Sequence, residues 1–442
     1  MKKDIEEILE EKGTLTKTAK IPDEIENYIK TGIEKGKKRK LILKQRKKFS
    51  YIAAGIILVL FVMSIRLSTS VAAYISQIPG FQSIVHLIRY DKGLDLAVKN
   101  NFIQPVYLSK ENEDMKVSID GLIVDESRII VFYSIESKSD KPIKLKDIKL
   151  YDDNNQSLED VSVSWSGFDN LNKEKVSFID IAFSEEKDRI PDKLNVDFEF
   201  KGIKSSLFNF SIPIDKEKFM GLKEVFILNK TVEIDRQKIT FEKAIIYPTR
   251  IAVYISYDTK NTKKILGFYD MKITDEDNDI FGQISNGVTS TIKDDNNIIL
   301  YFQSNFFKKP KDLYIVFSKI KAIDKDKEYV LIDLKNNTIL NKPDEKLKLN
   351  DVVNNGNDIE LMFTIEKIDN SNNFYDPFNS EFEDSSMKKY NFSNWSIHGG
   401  EKEKVEKVII KIPNVSYDNP VKFKIVDYPL LVGDREIKIK VK

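Results

Sequence analysis

The 442 residues carry 71 Lys/Arg against 70 Asp/Glu, 41% hydrophobic residues and no cysteine. A net charge of +1 offers no field for direct nucleic-acid binding, and the absence of thiols excludes disulfides, thiolate metal sites and cysteine nucleophiles. The length calls for several domains held by burial alone. The charge is unevenly placed: residues 1–48 hold 15 Lys/Arg and 9 Asp/Glu, the remainder 56 and 61.

Lys2–Glu11 sets Ile5, Ile8 and Leu9 at helical spacing. Pro22-Asp23-Glu24 opens a second helix, with proline in its first turn and acids at its positive end. Ile25, Tyr28, Ile29 and Ile33 form its apolar stripe. Two such short helices bury little on each other, so the stripe asks for a cover. That cover is a protein partner, which the acidic flanks favour, or a lipid surface.

Next comes an uncharged run of 17 residues, Phe49–Ile65, preceded by nine Lys/Arg between Lys35 and Lys48. A bilayer core of ~30 Å needs about 20 helical residues, a length reached if Arg66 snorkels and Leu67–Thr69 lie at the interface. A transmembrane helix is expected over 49–68. Lys44, Arg46, Lys47 and Lys48 on its flank orient it, with residues 1–48 cytoplasmic and the C-terminal domains extracellular. Membrane lipid is thus an expected partner. A buried core helix would not explain the one-sided basic flank. A cleaved signal sequence is the other alternative, with Val71-Ala72-Ala73 as its cleavage site, but 48 preceding residues exceed a signal n-region.

Leu67–Phe102 is helical in pattern and interrupted at Pro79-Gly80. Its apolar faces are Ile84, Val85, Leu87, Ile88 and then Leu94, Ala97, Val98, which suit a helical stalk or lid over 69–103. Alternating patterns then take over, and they repeat. Ile129, Val131, Tyr133 and Ile135 return 122 residues later as Ile251, Val253, Ile255 and Tyr257, and 230 residues later as Ile359, Leu361, Phe363 and Ile365. The preceding strand returns too: Val117, Ile119, Leu122, Ile123; then Ile239, Phe241, Ala244, Ile245; then Leu347, Leu349, Val352, Val353. The same break in alternation in each copy predicts a β-bulge. Pro191, Pro310 and Pro420 precede matching strands. The expected fold is mainly β: short cytoplasmic helices, one transmembrane helix, a helical stalk, then three tandem immunoglobulin-like β-sandwiches over 104–215, 216–342 and 343–442.

No catalytic, cofactor-binding or metal-ligating set stands out, so no enzyme and no cofactor are expected. His86 falls in the amphipathic stalk and His398 in a predicted turn, neither with metal-ligand spacing. Asp152–Asn155, Asp275–Asp279 and Asp294–Asn297 read as hairpin turns. The second resembles the front of a calcium loop but has Ile280 at the sixth position and Asn286 at the twelfth. Between Asn370 and Gly400 the third copy carries Phe374, Tyr375, Phe378, Phe382, Tyr390, Phe392 and Trp395 in a loop-like context. These either cover their own core or form a recognition surface.

Ile21-Pro22-Asp23-Glu24-Ile25, the lone apolar run, Ala72-Ala73, Pro79-Gly80-Phe81, Arg89-Tyr90-Asp91-Lys92-Gly93-Leu94 and Lys116-Val117-Ser118-Ile119-Asp120-Gly121 together carry a resemblance. Residues 21–215 resemble the single-pass anti-sigma-factor-like membrane proteins of Gram-positive bacteria, whose ectodomain begins with a domain of unknown function. The later copies are similar to the immunoglobulin-like repeats that some members append. The resemblance implies a cytoplasmic sigma factor of the extracytoplasmic-function class as partner; the expected function is membrane-anchored signalling, with the ectodomain sensing an unknown extracellular ligand or envelope stress. The His/Cys zinc motif of the zinc-dependent anti-sigma class is absent. A structural or adhesive envelope protein with a plain anchor is the alternative function.

Overall fold

In the computed structural model the described residues are 81–442, apart from 139–142, 166–173, 184–189, 202–205, 285–286, 369–374 and 400–402, together with positions 10, 30 and 31. The expected span 49–68, the stripe Ile25, Tyr28, Ile29 and Ile33, and the flank Lys44, Arg46, Lys47 and Lys48 lie outside them. Glu10, Lys30 and Thr31 are helical and exposed. No helix among the described residues is long and apolar enough to cross a membrane. The chain divides into two compact units, Met1–Ala72 and Ala73–Lys442. The second unit is mainly β.

Two helices open it, α1 (Phe81–Ile88) and α2 (Lys92–Lys99). Asp91 caps α2 by accepting from the Leu94 N–H at 3.1 Å. Ile84, Ile88, Leu94, Ala97 and Val98 are buried in the same core as the first β repeat. That repeat comprises β1 (Gln104–Glu111), β2 (Met115–Asp125), β3 (Arg128–Ser137), β4 (Lys144–Tyr151), β5 (Val161–Trp165), β6 (Glu174–Phe183), β7 (Lys193–Lys201) and β8 (Ser206–Pro213). Its sheets run β1-β2-β3-β6-β5 and β4-β7-β8 and share one hydrophobic core. A short helix, α3 (Lys216–Phe219), buries Phe219 edge-on against Phe102, so the first core extends past residue 215.

The second repeat comprises β9 (Glu224–Ile234), β10 (Gln237–Ile246), β11 (Arg250–Tyr257), β12 (Lys263–Phe268), β13 (Lys272–Asp275), β14 (Ile280–Phe281), β15 (Ser290–Ile292), β16 (Asn297–Gln303), β17 (Leu313–Phe317) and β18 (Ile320–Asp324). The third comprises β19 (Tyr329–Asp333), β20 (Thr338–Asn341), β21 (Leu347–Asn354), β22 (Asp358–Glu366), β23 (Phe378–Glu383), β24 (Lys389–Asn391), β25 (Asn394–His398), β26 (Val405–Pro413) and β27 (Val421–Ile425), with β28 (Leu431–Val432) and β29 (Ile437–Lys440) at the end. The expected bulge is present in all three copies. Register shifts fall between Ile119 and Gly121, Phe241 and Lys243, and Leu349 and Asp351.

Strand pairing divides the chain differently from the boundaries expected at 342/343. β7 lies between β4 and β8, whereas β17 lies between β13 and β29, and β27 between β23 and β19. The second and third repeats thus exchange strands: the end of the chain completes the second, and the stretch after β18 completes the third. Ile439 and Val441 are buried in the second core, Val330 and Ile332 in the third. Alternating strands look alike whichever sheet they join, so periodicity alone could not reveal the exchange. The aromatic segment is also not a loop. It forms β23, β24 and β25, with Tyr375, Phe378 and Phe382 buried and Trp395 exposed. His398 is in β25 rather than a turn, with Nε2 3.0 Å from the Ser396 hydroxyl.

Ile439 pairs with Ile315 and is 4% exposed. Ile439→Ala should therefore cost ~2–5 kcal/mol, read by thermal or denaturant melting. Deleting residues 431–442 should strip hydrogen-exchange protection from β17 and leave β22 and β26 protected. Equal loss in both repeats would contradict the exchange.

Candidate functional site

The β2–β3 turn of the first repeat meets the β10–β11 turn of the second, and each offers the other the same chemistry. Arg128 Nε donates to the Thr249 hydroxyl at 3.0 Å and Nη2 to the Thr249 carbonyl at 3.0 Å. Arg250 Nε donates to the Ser127 hydroxyl at 2.9 Å and Nη2 to the Ser127 carbonyl at 2.5 Å. Arg128 and Arg250 stand one residue before Ile129 and Ile251, so repeat-equivalent residues clasp each other reciprocally. Asp125 shapes one turn by accepting from the Ser127 and Arg128 N–H groups, and its other oxygen accepts from the Thr249 N–H at 3.1 Å.

Every member is removed from water: Asp125, Asp180 and Thr249 are 0% exposed, and both arginines 1%. Burying a guanidinium is tolerable only with close partners. Arg128 Nη1 has Asp180 at 3.3 Å, and Nη2 has Asp91 at 3.7 Å. Arg250 lies with its guanidinium carbon 3.6 Å from the Tyr301 ring centroid, a cation–π contact strengthened by desolvation. Burial pulls the Arg250 guanidinium below its ordinary pKa. Burial likewise raises the Asp91 carboxyl, a push that Arg128 partly offsets.

The helices enter the same junction. A Cβ on Gly93 would lie 2.5 Å from the Ser304 nitrogen and 2.7 Å from the Thr249 carbonyl, so only glycine lets α2 seat there. Gln303 accepts from the Lys92 N–H at 3.3 Å and donates to the Tyr90 carbonyl at 2.9 Å. Asp180 of the first repeat accepts from the Val288 N–H of the second at 3.0 Å. The segment that comes after the apolar run is therefore fixed to both repeats at once. The third repeat takes no such part: Asn357 and Asp358 stand where the others have Ser127-Arg128 and Thr249-Arg250.

The arrangement suits mechanical coupling, with its ionic groups sealed from any substrate. The acidic stretches behave as turns. Asp152 accepts from the N–H groups of Asn154 and Gln156, and Asp294 from those of Asn296 and Asn297. In the calcium-like stretch the Lys308 ammonium lies 2.6 Å from both Asp275 and Asp279, occupying the place of a cation. Among the described residues no group of His, Cys, Asp or Glu is disposed to hold a metal ion. The partner stripe and basic flank expected from sequence lie outside the described residues. The junction itself escaped sequence reading, although a hydroxyl residue followed by arginine before the repeated strand in the first two copies was a visible signal.

Residues 43–137 match a domain of unknown function, DUF4179, and residues 223–349 match a family of unknown function, DUF5643. No curated protein matches the chain. Among solved structures, a conserved domain protein from Bacillus anthracis aligns at 18% identity and TM-score 0.38, covering 54% of this chain and 84% of that one. An uncharacterized protein from Listeria monocytogenes aligns at 8% identity and TM-score 0.13, covering 69% of this chain and 29% of that one. Likenesses this distant carry no argument about fold or function.

Arg128→Ala should cost ~3–5 kcal/mol, because it leaves Asp180 buried and unpaired. The Arg128→Ala/Arg250→Ala double variant should cost less than the sum of its parts, a coupling that denaturant melts of all four proteins would measure. Asp91 adds a pH dependence of known sign. Its folded pKa is raised above the ordinary ~3.9, so its contribution is full below that value and is lost as pH rises through the folded value. The stability of Asp91→Asn relative to wild type should therefore grow as pH climbs from about 4, as a pH series of melts would record.

Proposed function

We propose that this chain is a single-pass membrane signalling protein, anti-sigma-factor-like, whose inner helices hold an extracytoplasmic-function sigma factor. On this reading its immunoglobulin-like β units lie outside the membrane and sense an envelope ligand or stress. The observation that carries the reading is the attachment of α2 to both of the first two repeats through Gly93, Lys92 and Asp91. A ligand that altered how those repeats meet would shift the segment leading back to the apolar run, giving one element with two arrangements that both ends can bias. The asymmetric basic flank supports the orientation, and the resemblance over residues 21–215 supports the partner.

Ile25, Ile29 and Ile33 fall at i, i+4 and i+8 with Tyr28 beside them, so one helical face would present all four. Each could contribute ~1.5–3 kcal/mol when buried in a partner's groove. A sigma factor should co-purify with the full-length protein in mild detergent, and Ile25→Asp/Ile29→Asp should abolish its capture while leaving membrane insertion intact. Absence of any sigma factor from the wild-type preparation would replace the regulatory reading with that of a structural envelope protein.

A further inference from the structure

The three repeats share their bulged hairpin but not what flanks it. β2 has β1 on its outer edge, and β10 has β9. β21, the matching strand of the third repeat, has only β22 beside it among the described residues. The short strand that precedes it, β20, pairs instead with β19 in the other sheet. The inward row reports the difference. Val117, Ile119, Leu122 and Val124 are each at most 1% exposed, as are Ile239, Phe241, Ala244 and Ile246. In the third copy Leu347 is buried, but Leu349 and Val352 are only half-buried and Asn354 is exposed.

Beyond Leu347, whose carbonyl accepts from the Lys342 ammonium at 3.5 Å, the backbone of β21 is open on the same side. Asn355 N–H donates to the Asp358 carbonyl at 2.8 Å, which sets the phase of the ladder and turns the N–H groups of Val352 and Asn354 away from β22. The Val352 N–H is met there by its neighbour's carboxylate, Asp351 Oδ1 at 2.9 Å. We propose that the free edge of β21 accepts an antiparallel strand from a partner polypeptide, as β1 and β9 serve the other two repeats.

The sister repeats state what fits. Both flanking strands turn apolar side chains inward, Val106 and Leu108 in β1, Phe226 and Leu228 in β9. Both also carry two extra residues opposite the single extra residue of the host bulge: 106–107 facing the step from Ile119 to Gly121, and 228–229 facing that from Phe241 to Lys243. A second copy of β21 has one extra residue at its bulge, not two, and would fall out of register. The partner is therefore a different extended segment, apolar at alternate positions and interrupted by a two-residue bulge, docking by strand addition.

A synthetic peptide with the β9 sequence, EVFILNKTVEI, is the probe. Added to the full-length protein in detergent, it should slow amide exchange across Leu349–Asn354 about tenfold or more, while the same peptide with proline replacing the residue equivalent to Leu228 should not. Val352→Pro removes an outward N–H that an edge strand can spare and should abolish the protection while exchange in β22 and β26 stays unchanged. Should that variant disturb β22, the comparison of the two peptides on wild type decides alone. Unchanged β21 exchange with the β9 peptide, protection by both peptides alike, or protection confined to β10 would overturn the proposal. So would protection of β21 that rises with protein concentration in the absence of peptide, which would mean self-pairing.

Discussion

Two guanidinium groups sealed from water govern how the first two repeats meet. A buried cation without partners costs several kcal/mol; each arginine here takes its hydroxyl and carbonyl acceptors from the opposite repeat, and its charge or ring partner, Asp180 for Arg128 and Tyr301 for Arg250, from its own. Arg128 needs Thr249, and Arg250 needs Ser127 and the Tyr301 ring in its own repeat. The hydrogen bonds are directional and reciprocal, so a rotation that weakened one set would weaken the other. The junction therefore specifies one relative orientation more sharply than an apolar contact of similar size would. The apolar cluster alongside it, with Ala182 of the first repeat among Ile245, Tyr247 and Ile284 of the second, supplies burial with little direction.

That specificity extends to the helices because the junction is closed by backbone approach as well as by charge. Gly93 lets the start of α2 lie against the Thr249 carbonyl, the same carbonyl to which Arg128 donates. Asp91 serves twice, capping α2 and facing Arg128. A change in the turn at Thr249 thus reaches the helix through two adjoining contacts without any long relay.

Much of this was legible in the sequence, and the features it hid have common physical causes. The three hairpins, their bulges and the helices before them arise from local periodicity and turn residues, which act over a few positions. The exchange of β19 and β29 depends on partners 89 to 126 residues apart in sequence, and alternation fixes a strand's faces without fixing its neighbours. The junction was missed because Arg128 and Arg250 sit at hairpin tips, where a charged residue ordinarily signals solvent. Only their equivalence between copies marked them as a pair. The calcium-like stretch misled in the opposite sense: its spacing is visible, but the lysine that neutralises it, Lys308, lies 29 residues away from Asp279.

Comparison of the three copies shows where a repeated sandwich is free to change. The inward rows of the hairpins stay apolar wherever they are buried, because a polar substitution there would leave a buried group unpaired; the one polar member, Asn354 of the third copy, is exposed. The hairpin tips and outer edges carry no such constraint, and there the copies diverge. Ser127-Arg128 and Thr249-Arg250 make a clasp, whereas Asn357-Asp358 at the third tip cannot, since a carboxylate has no N–H to give to a facing carbonyl. The third repeat is instead bound to the second by exchanged strands, and by Lys264 and Lys424 both reaching Asp295. Those lysines hold the Asp295 carboxyl down to about 2, but with the side chain 67% exposed the bridge orients more than it stabilises. One hairpin design thus serves two different attachments: a buried ionic clasp, where geometry must be exact to the hydrogen bond, and shared sheets, where continuity of backbone does the joining.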